Sequence, residues 1–437
     1  MATGRVLAWI PRDLRTPFLA PAQVHALRDA RLRALVRHAA EHVAHYRDLF
    51  RERGIDPREI ATAEDLAALP LLEKETVQRA PDRFRSMGPE GRRALPFPTT
   101  GASGTPLVVF HEPAALLRYL SAGVRQDHVV RRLLGLRRGR TLTLAHPNTS
   151  GPRVRAFYRR GTLIPGRPAR RNRLSPEAAV ATIVETVNSH RPDVLAGGGS
   201  SLELLFRLAA AGDVTLHPPR LVKYQSDAIS EGGRRLIEER FGIPVLSSYA
   251  AVETFRIGFF CERRTGHHLQ EDCCHVRVVR PDGTEASPDE PGEVVVSNLL
   301  NRGTVLLNYR LGDVAALLPD ACPCGRSFRL LGPVEGRVIE IVHLDDGTRV
   351  HPRSVGNAVH GDGLLRFQLI QETRTRFRLE VVTIGDEAYA RVVERATAKL
   401  RPLLGGAEVS VVRREALEET RSRKFRRVVA LPKADRP

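Results

Sequence analysis

Asp313 follows Gly312 just past the β-rich run Val305 to Tyr309, and a carboxylate at a strand end can accept hydrogen bonds from two neighbouring hydroxyls, as on a ribose. The same Gly-Asp pair also closes ordinary turns. A second candidate is Pro98-Thr99-Thr100-Gly101-Ala102-Ser103-Gly104-Thr105-Pro106, ahead of a predicted strand from Leu107 to Phe110. Backbone N–H groups and small hydroxyls in such a loop can wrap phosphate oxygens, although Ser/Thr/Gly turns are common without a ligand. The loop lacks Gly-Lys-Ser/Thr and leads into a strand, which excludes a Walker loop. At Ala145-His146-Pro147 a predicted strand ends where open α/β sheets tend to bind ligands. Gly197-Gly198-Gly199-Ser200-Ser201 joins a strand to a helix, whose N-terminus could hold an anion.

Strands and helices must alternate to position these residues. Apolar runs at Thr141 to Ala145, Pro192 to Ala196, Arg220 to Ser226 and Pro244 to Tyr249 predict strands. Between them, His111 to Leu134, Leu202 to Ala211 and Ile229 to Phe241 predict helices, and Ser175-Pro176-Glu177 predicts another, with Ser as N-cap, running through Val187. This order predicts a mostly parallel α/β sheet. Glu293 to Ser297 and Val305 to Tyr309 predict two strands broken by the turn Asn301-Arg302-Gly303. Upstream, Val24 to Arg53 has helical periodicity and stops at Gly54; His38 and His42 share a face, expected to be solvated rather than metal-binding. After Gly336-Arg337 the pattern becomes βββαβ, with a hairpin signal at Asp346-Gly347, predicting a small α+β unit.

Composition sets the outer bounds. With 437 residues, 42% of them hydrophobic, the chain can bury a sizeable core. No apolar run reaches the ~20 residues of a membrane helix, and the N-terminus carries no signal-peptide pattern, so a cytoplasmic protein without membrane contact is expected. Five cysteines are too few for a disulfide framework, which leaves metal binding or plain burial. The net charge of +18 raises nucleic acid as a partner, but aromatics are only 5% and no nucleic-acid motif is present. The surplus is arginine spread along the chain, and small acidic substrates suit it as well, so no nucleic acid partner is expected.

Gly292-Glu293-Val294-Val295-Val296-Ser297, Asn308-Tyr309-Arg310-Leu311-Gly312-Asp313, Cys322-Pro323-Cys324-Gly325-Arg326 and Gly336-Arg337 resemble, in order and spacing, the phenylacetate–coenzyme A ligase family of the adenylate-forming superfamily. The resemblance extends from about Leu32 to Val429, and implies ATP-dependent activation of a carboxylic acid through an acyl-adenylate. In the family's terms the loop Thr99, Thr100, Gly101, Ser103, Gly104 and Thr105 would hold phosphate, with Thr105 where many members have Lys. Tyr249-Ala250-Ala251-Val252-Glu253 resembles Y-G-x-S/T-E, so Tyr249 would pack beside adenine and Glu253 would hold Mg²⁺. Asp313 and Arg337 would complete the ATP/AMP site, and His146, Gly198, Gly199 and Ala250 would line the substrate pocket. Cys261, His268, Cys322 and Cys324 match the family's thiol and imidazole positions and would form a structural Cys₃His zinc site; Cys273-Cys274 and His275 compete as ligands. Lys424 falls on the terminal lysine that reaches the substrate carboxylate and α-phosphate, making it catalytic along with Glu253.

The departures are Ala250 for Gly, Val252 for a hydroxyl residue, and Ile339-Glu340 where the hinge carries two acids. The expected fold is therefore α/β: a large adenylate-forming N-terminal domain with mixed and parallel sheets, residues 1–335, and a small α+β C-terminal lid, residues 336–437. Expected cofactors are ATP, Mg²⁺ and a structural Zn²⁺. The acyl group, of aryl or arylacetic type, would pass to coenzyme A. An amine acceptor, a catalytically degenerate binding module and a homodimer stay open as alternatives.

Overall fold

The computed structural model describes residues 2–99, 106–135, 139–146, 149–163, 171–417 and 425–432. Thr100, Gly101, Ser103, Gly104, Thr105 and Lys424 lie outside them. An eight-stranded sheet runs in the order Leu330–Leu331, His267–Leu269, Gly258–Phe260, Val245–Tyr249, Leu221–Tyr224, Val194–Gly197, Thr141–Leu144, Arg171–Leu174. The last five are parallel, in register through Leu144, Gly197 and Tyr224, and the first three antiparallel. Short Val/Leu runs alternating with helices dictate this, because a parallel pair needs a crossover and the helices covering both faces bury it. Ile183, Val187, Leu202 and Phe206 pack onto Leu142, Leu195 and Val222 for that reason.

A second, antiparallel sheet is built from Cys274–Val279, Gly292–Asn298, Tyr309–Ala315 and Gly336–Arg337. Its Val276, Val294 and Val296 share one core with Leu32, Val36 and Tyr46 of the N-terminal helices and with Tyr249 and Leu269 of the large sheet. The two sheets are thus welded through a common apolar interior.

The C-terminal residues form a separate core. Strands run in the order Glu408–Arg413, Arg376–Thr383, Leu364–Gln371, Val428–Val429, with the helix Gly385–Arg395 across them. The expected hairpin is present as Val342–His343 paired with Arg349–Val350, turning at Gly347 (φ +83°). Val338–Glu340, expected as strand, is a 3₁₀ turn, and the helix Pro352–Val359 was not foreseen.

Other expectations shift. The helix predicted over Val24 to Arg53 is two helices, Pro21–His42 and Ala44–Arg53, broken where Val43 turns extended (φ −120°, ψ 113°). His38 lies on the buried side of the first helix with Leu35 and Ala39, so it is buried rather than solvated, with Nε2 3.3 Å from the Arg302 carbonyl oxygen. Gly123 divides the next predicted helix into Pro113–Ala122 and Val124–Leu134. Ser175 does not cap a helix; its hydroxyl accepts the Glu177 N–H in a turn, and the helix starts at Val180. Val305 to Leu307 is not a strand; pairing begins at Tyr309.

Candidate active site

Tyr249 ends a strand, and the chain then folds into a tight turn in which Phe255 has φ +54° and donates its N–H to the Ala251 carbonyl at 2.6 Å. Two clamps hold the turn from outside. His111 Nε2 lies 2.7 Å from the Val252 carbonyl oxygen, and Asn298 Nδ2 donates to the Glu253 carbonyl at 2.8 Å. Burial holds the His111 pKa down to about 3, so its ring is neutral and Nε2–H is assigned as the donor. Asn298 in turn accepts the Tyr119 hydroxyl at 2.9 Å. Val252 thus keeps its backbone fixed even though its side chain offers no donor.

Asp313 reaches the same place from the second sheet. The expectation of a carboxylate just past a strand end is corrected: the strand Tyr309–Ala315 continues through Gly312 (φ +81°), where its pairing slips between Glu293 and Val295. Such a bulge re-aims the next side chain. Asp313 Oδ2 accepts the Tyr249 hydroxyl at 2.9 Å, and Oδ1 lies 3.5 Å from Nε of Arg337, its direct cross-strand partner. A carboxylate has about four lone-pair positions, so two contacts leave capacity for further hydroxyls. Burial first, and then the nearby Asp313, keep the Tyr249 phenol protonated and therefore a donor.

Tyr309, which the sequence reading placed only as a strand residue, sets its hydroxyl 3.4 Å from Glu253 Oε1. Glu253 is buried, and burial raises its pKa above the ordinary carboxylate value; Asp313 adds to the rise while Lys74 and Arg337 oppose it. Lys74, which opens the helix Lys74–Arg79, was likewise missed as a site residue. A buried carboxylate reluctant to ionise gains from a cation, which fits a divalent metal bound there.

Thr99 stands at the neck of the Ser/Thr/Gly loop. Its N–H donates to the Leu107 carbonyl at 2.7 Å, and its hydroxyl accepts the Leu107 N–H at 2.9 Å, drawing the loop's two ends together. His146, Gly198 and Ala250 follow three of the parallel strands, at the same carboxyl edge of the sheet. Ala250 is exposed there. The anion site expected at the helix Gly199–Ala211 is corrected: Asp227 already accepts the N–H groups of Gly199 and Ser200, at 3.0 and 2.8 Å. A carboxylate occupying those donors repels a second anion.

Cys261, His268, Cys322 and Cys324 converge although up to 63 positions separate them in the chain, their ligand atoms all within 4.8 Å of one another. Cys261 and Cys322 sulfurs are 3.6 Å apart, and Cys324 Sγ is 3.3 Å from His268 Nε2. Tetrahedral bonds of about 2.0–2.3 Å to zinc place ligands at about such spacings, so the donor set fits that ion. Cys273, Cys274 and His275 are buried outside this shell; Cys274 Sγ instead faces the Arg256 carbonyl at 3.3 Å.

No family model matches the chain. Curated relatives do: a phenylacetate–coenzyme A ligase of Thermus thermophilus is 28% identical over 349 residues, 76% of this chain and 74% of its own length. One from Pseudomonas putida is 26% identical over 77% of this chain and 76% of its own. Among solved structures, a 2-hydroxyisobutyryl-CoA ligase in its postadenylation state, with a bound acyl-AMP, superposes with TM-score 0.77 at 17% identity, covering 96% of this chain and 92% of that one. The chain has the same α/β fold.

Proposed function

We propose that this chain, similar to phenylacetate–coenzyme A ligases over most of its length, activates a carboxylic acid with ATP and passes the acyl group to coenzyme A. The observation that carries this reading is the convergence of Tyr249, Glu253, Asp313 and Arg337, from three separate stretches, around one cluster of short polar contacts. Asp313 accepts the ribose hydroxyls, Tyr249 lies against the adenine, and Arg337 steadies Asp313. Glu253 holds Mg²⁺, which when bound offsets charge on the phosphates. Thr99, Thr100, Gly101, Ser103, Gly104 and Thr105 enclose those phosphates. His146 and Ala250 border the acid, and Gly198 and Gly199, packed against Asp227 and Ala228, back that edge without binding its carboxylate.

The acid's carboxylate oxygen attacks the α-phosphorus, a new O–P bond forms, and pyrophosphate leaves. Lys424, from the small unit that begins near residue 336 and acts as a lid, stabilises the negative charge that builds in this step. The thiolate of coenzyme A then attacks the acyl carbon and AMP leaves. Cys261, His268, Cys322 and Cys324 hold zinc in a closed shell with no open position, a structural rather than catalytic role. Pyrophosphate release screened over a panel of aryl and arylacetic acids tests the reading, followed by mass analysis of products with coenzyme A or amines. Acid-dependent release and a thioester are expected. No release with any acid overturns it, and an amide product reassigns the acceptor.

A further inference from the structure

The seam between the C-terminal unit and the rest of the chain is polar where it is most buried. Glu203, on the helix Gly199–Ala211, is 7% exposed. Its Oε1 accepts from Arg207 Nη2 at 2.8 Å and Ser230 Oγ at 2.6 Å. Its Oε2 accepts from the Ser230 N–H at 2.8 Å and from Arg427 Nη2 at 2.9 Å. Arg427 comes from the other side of the seam, directly before Val428–Val429, the edge strand of the C-terminal sheet. Arg207 crosses in the opposite direction, donating to the Leu364 carbonyl at 2.9 Å and contacting His360 Nδ1 at 2.7 Å.

Three further observations bear on what this cluster does. The charged groups of the seam lie beside Leu364 and Phe367, which belong to the core of the C-terminal unit and not to that of the helix bearing Glu203. Gly232 and Gly233 make room for the contact: a Cβ on Gly232 would collide with the His360 ring, and one on Gly233 with the Glu203 side chain. Arg427 also lies three positions after Lys424 in the chain, so fixing Arg427 limits Lys424 to within about 10 Å of it.

We infer that Glu203 is a positioning residue, a latch that holds the C-terminal unit in the arrangement favouring acid activation over acyl transfer. This rests on the two-step reaction proposed above. Releasing the latch lets the unit leave that arrangement, which slows the first half-reaction relative to the second.

Glu203→Gln keeps the shape and removes the charge, Arg427→Gln removes the partner, and Gly232→Ala drives a wedge into the seam without touching either. Single-turnover formation of acyl-AMP and thioester formation from supplied acyl-AMP are measured for each and for the double Gln variant. The ratio of the first rate to the second is expected to fall about fivefold or more, the scale of a modest coupling between sites. The double variant should lose less than the two singles combined, since Glu203 and Arg427 share one contact while each also bonds elsewhere. An unchanged ratio in folded variants overturns the latch. Small-angle X-ray scattering of the ligand-free proteins tests it independently of any activity: a broader distance distribution than the parent's is expected, and identical curves overturn it. Absence of both half-reactions in the parent would defeat the proposed reaction and leave the scattering result to decide the latch.

Discussion

Glu253 shows how one side chain ties protonation to metal binding. Its pKa is raised, chiefly by burial, so a proton competes with a cation at a higher pH than for an ordinary carboxylate. The Mg²⁺ concentration needed for half-maximal pyrophosphate release should therefore rise as pH falls toward that raised value, and Glu253→Gln should abolish the dependence. Titrating Mg²⁺ at successive pH values checks both. Asp313→Ala removes the proposed ribose acceptor and also strands the Tyr249 hydroxyl and Arg337, each uncompensated group costing about 1–3 kcal/mol. A loss of ATP affinity of about tenfold or more is expected by calorimetry, with coenzyme A binding unchanged. Tyr249, Glu253 and Asp313 were legible in the sequence because each sits in a short local pattern. Tyr309 was not, because its contact with Glu253 exists only once two sheets meet, and nothing near Tyr309 in the chain signals that.

Elements with clear apolar runs were the readable ones: the parallel strands Thr141–Leu144, Val194–Gly197, Leu221–Tyr224 and Val245–Tyr249 lie where those runs put them, whereas Arg171–Leu174, with a single apolar residue, carries no such signal. The helix Ser150–Gly161 escaped notice because its apolar side is short, only Val154, Phe157 and Tyr158 half-buried against Leu116 and Tyr119, within a strongly basic stretch. The helix breaks at Val43 and Gly123 were hidden for the opposite reason, since the periodicity runs on across them. The Cys/His shell joins the loop after Gly258–Phe260 to the segment before Leu330–Leu331. Zinc is expected by elemental analysis at about one ion per chain for a four-ligand structural site. Chelation, or Cys322→Ser, should lower the melting temperature by several degrees, corresponding to a loss of a few kcal/mol, while the KM for ATP stays constant in whatever remains folded.

For the whole molecule, the proposed lid role of the C-terminal unit is tested at Lys424. Lys424→Ala should cut acyl-AMP formation by about 10²-fold or more with ATP affinity nearly unchanged, because the lost contact forms only in the transition state. Thioester formation from supplied acyl-AMP should survive. Glu203 contributes on a different axis: its pairing with Arg427 and Arg207 overcomes the cost of burial and lowers its pKa to about 2 from 4.5. A depressed acid stabilises the fold above its unfolded pKa and loses that contribution as pH falls through the folded value, here on the order of 3 kcal/mol. Denaturation at pH 7 and pH 2 should therefore show a large stability gap between parent and Glu203→Gln at neutral pH that closes in acid. The large sheet carries a consequence for the order in which the protein is made. Its outer strand, Leu330–Leu331, pairs with His267–Leu269 only after the chain has supplied the first three strands of the antiparallel sheet. During synthesis the edge of His267–Leu269 therefore waits unpaired through roughly sixty residues, several seconds at ordinary elongation rates. It carries two histidines and a leucine rather than a long apolar run, which makes that wait a poor template for pairing with another nascent chain.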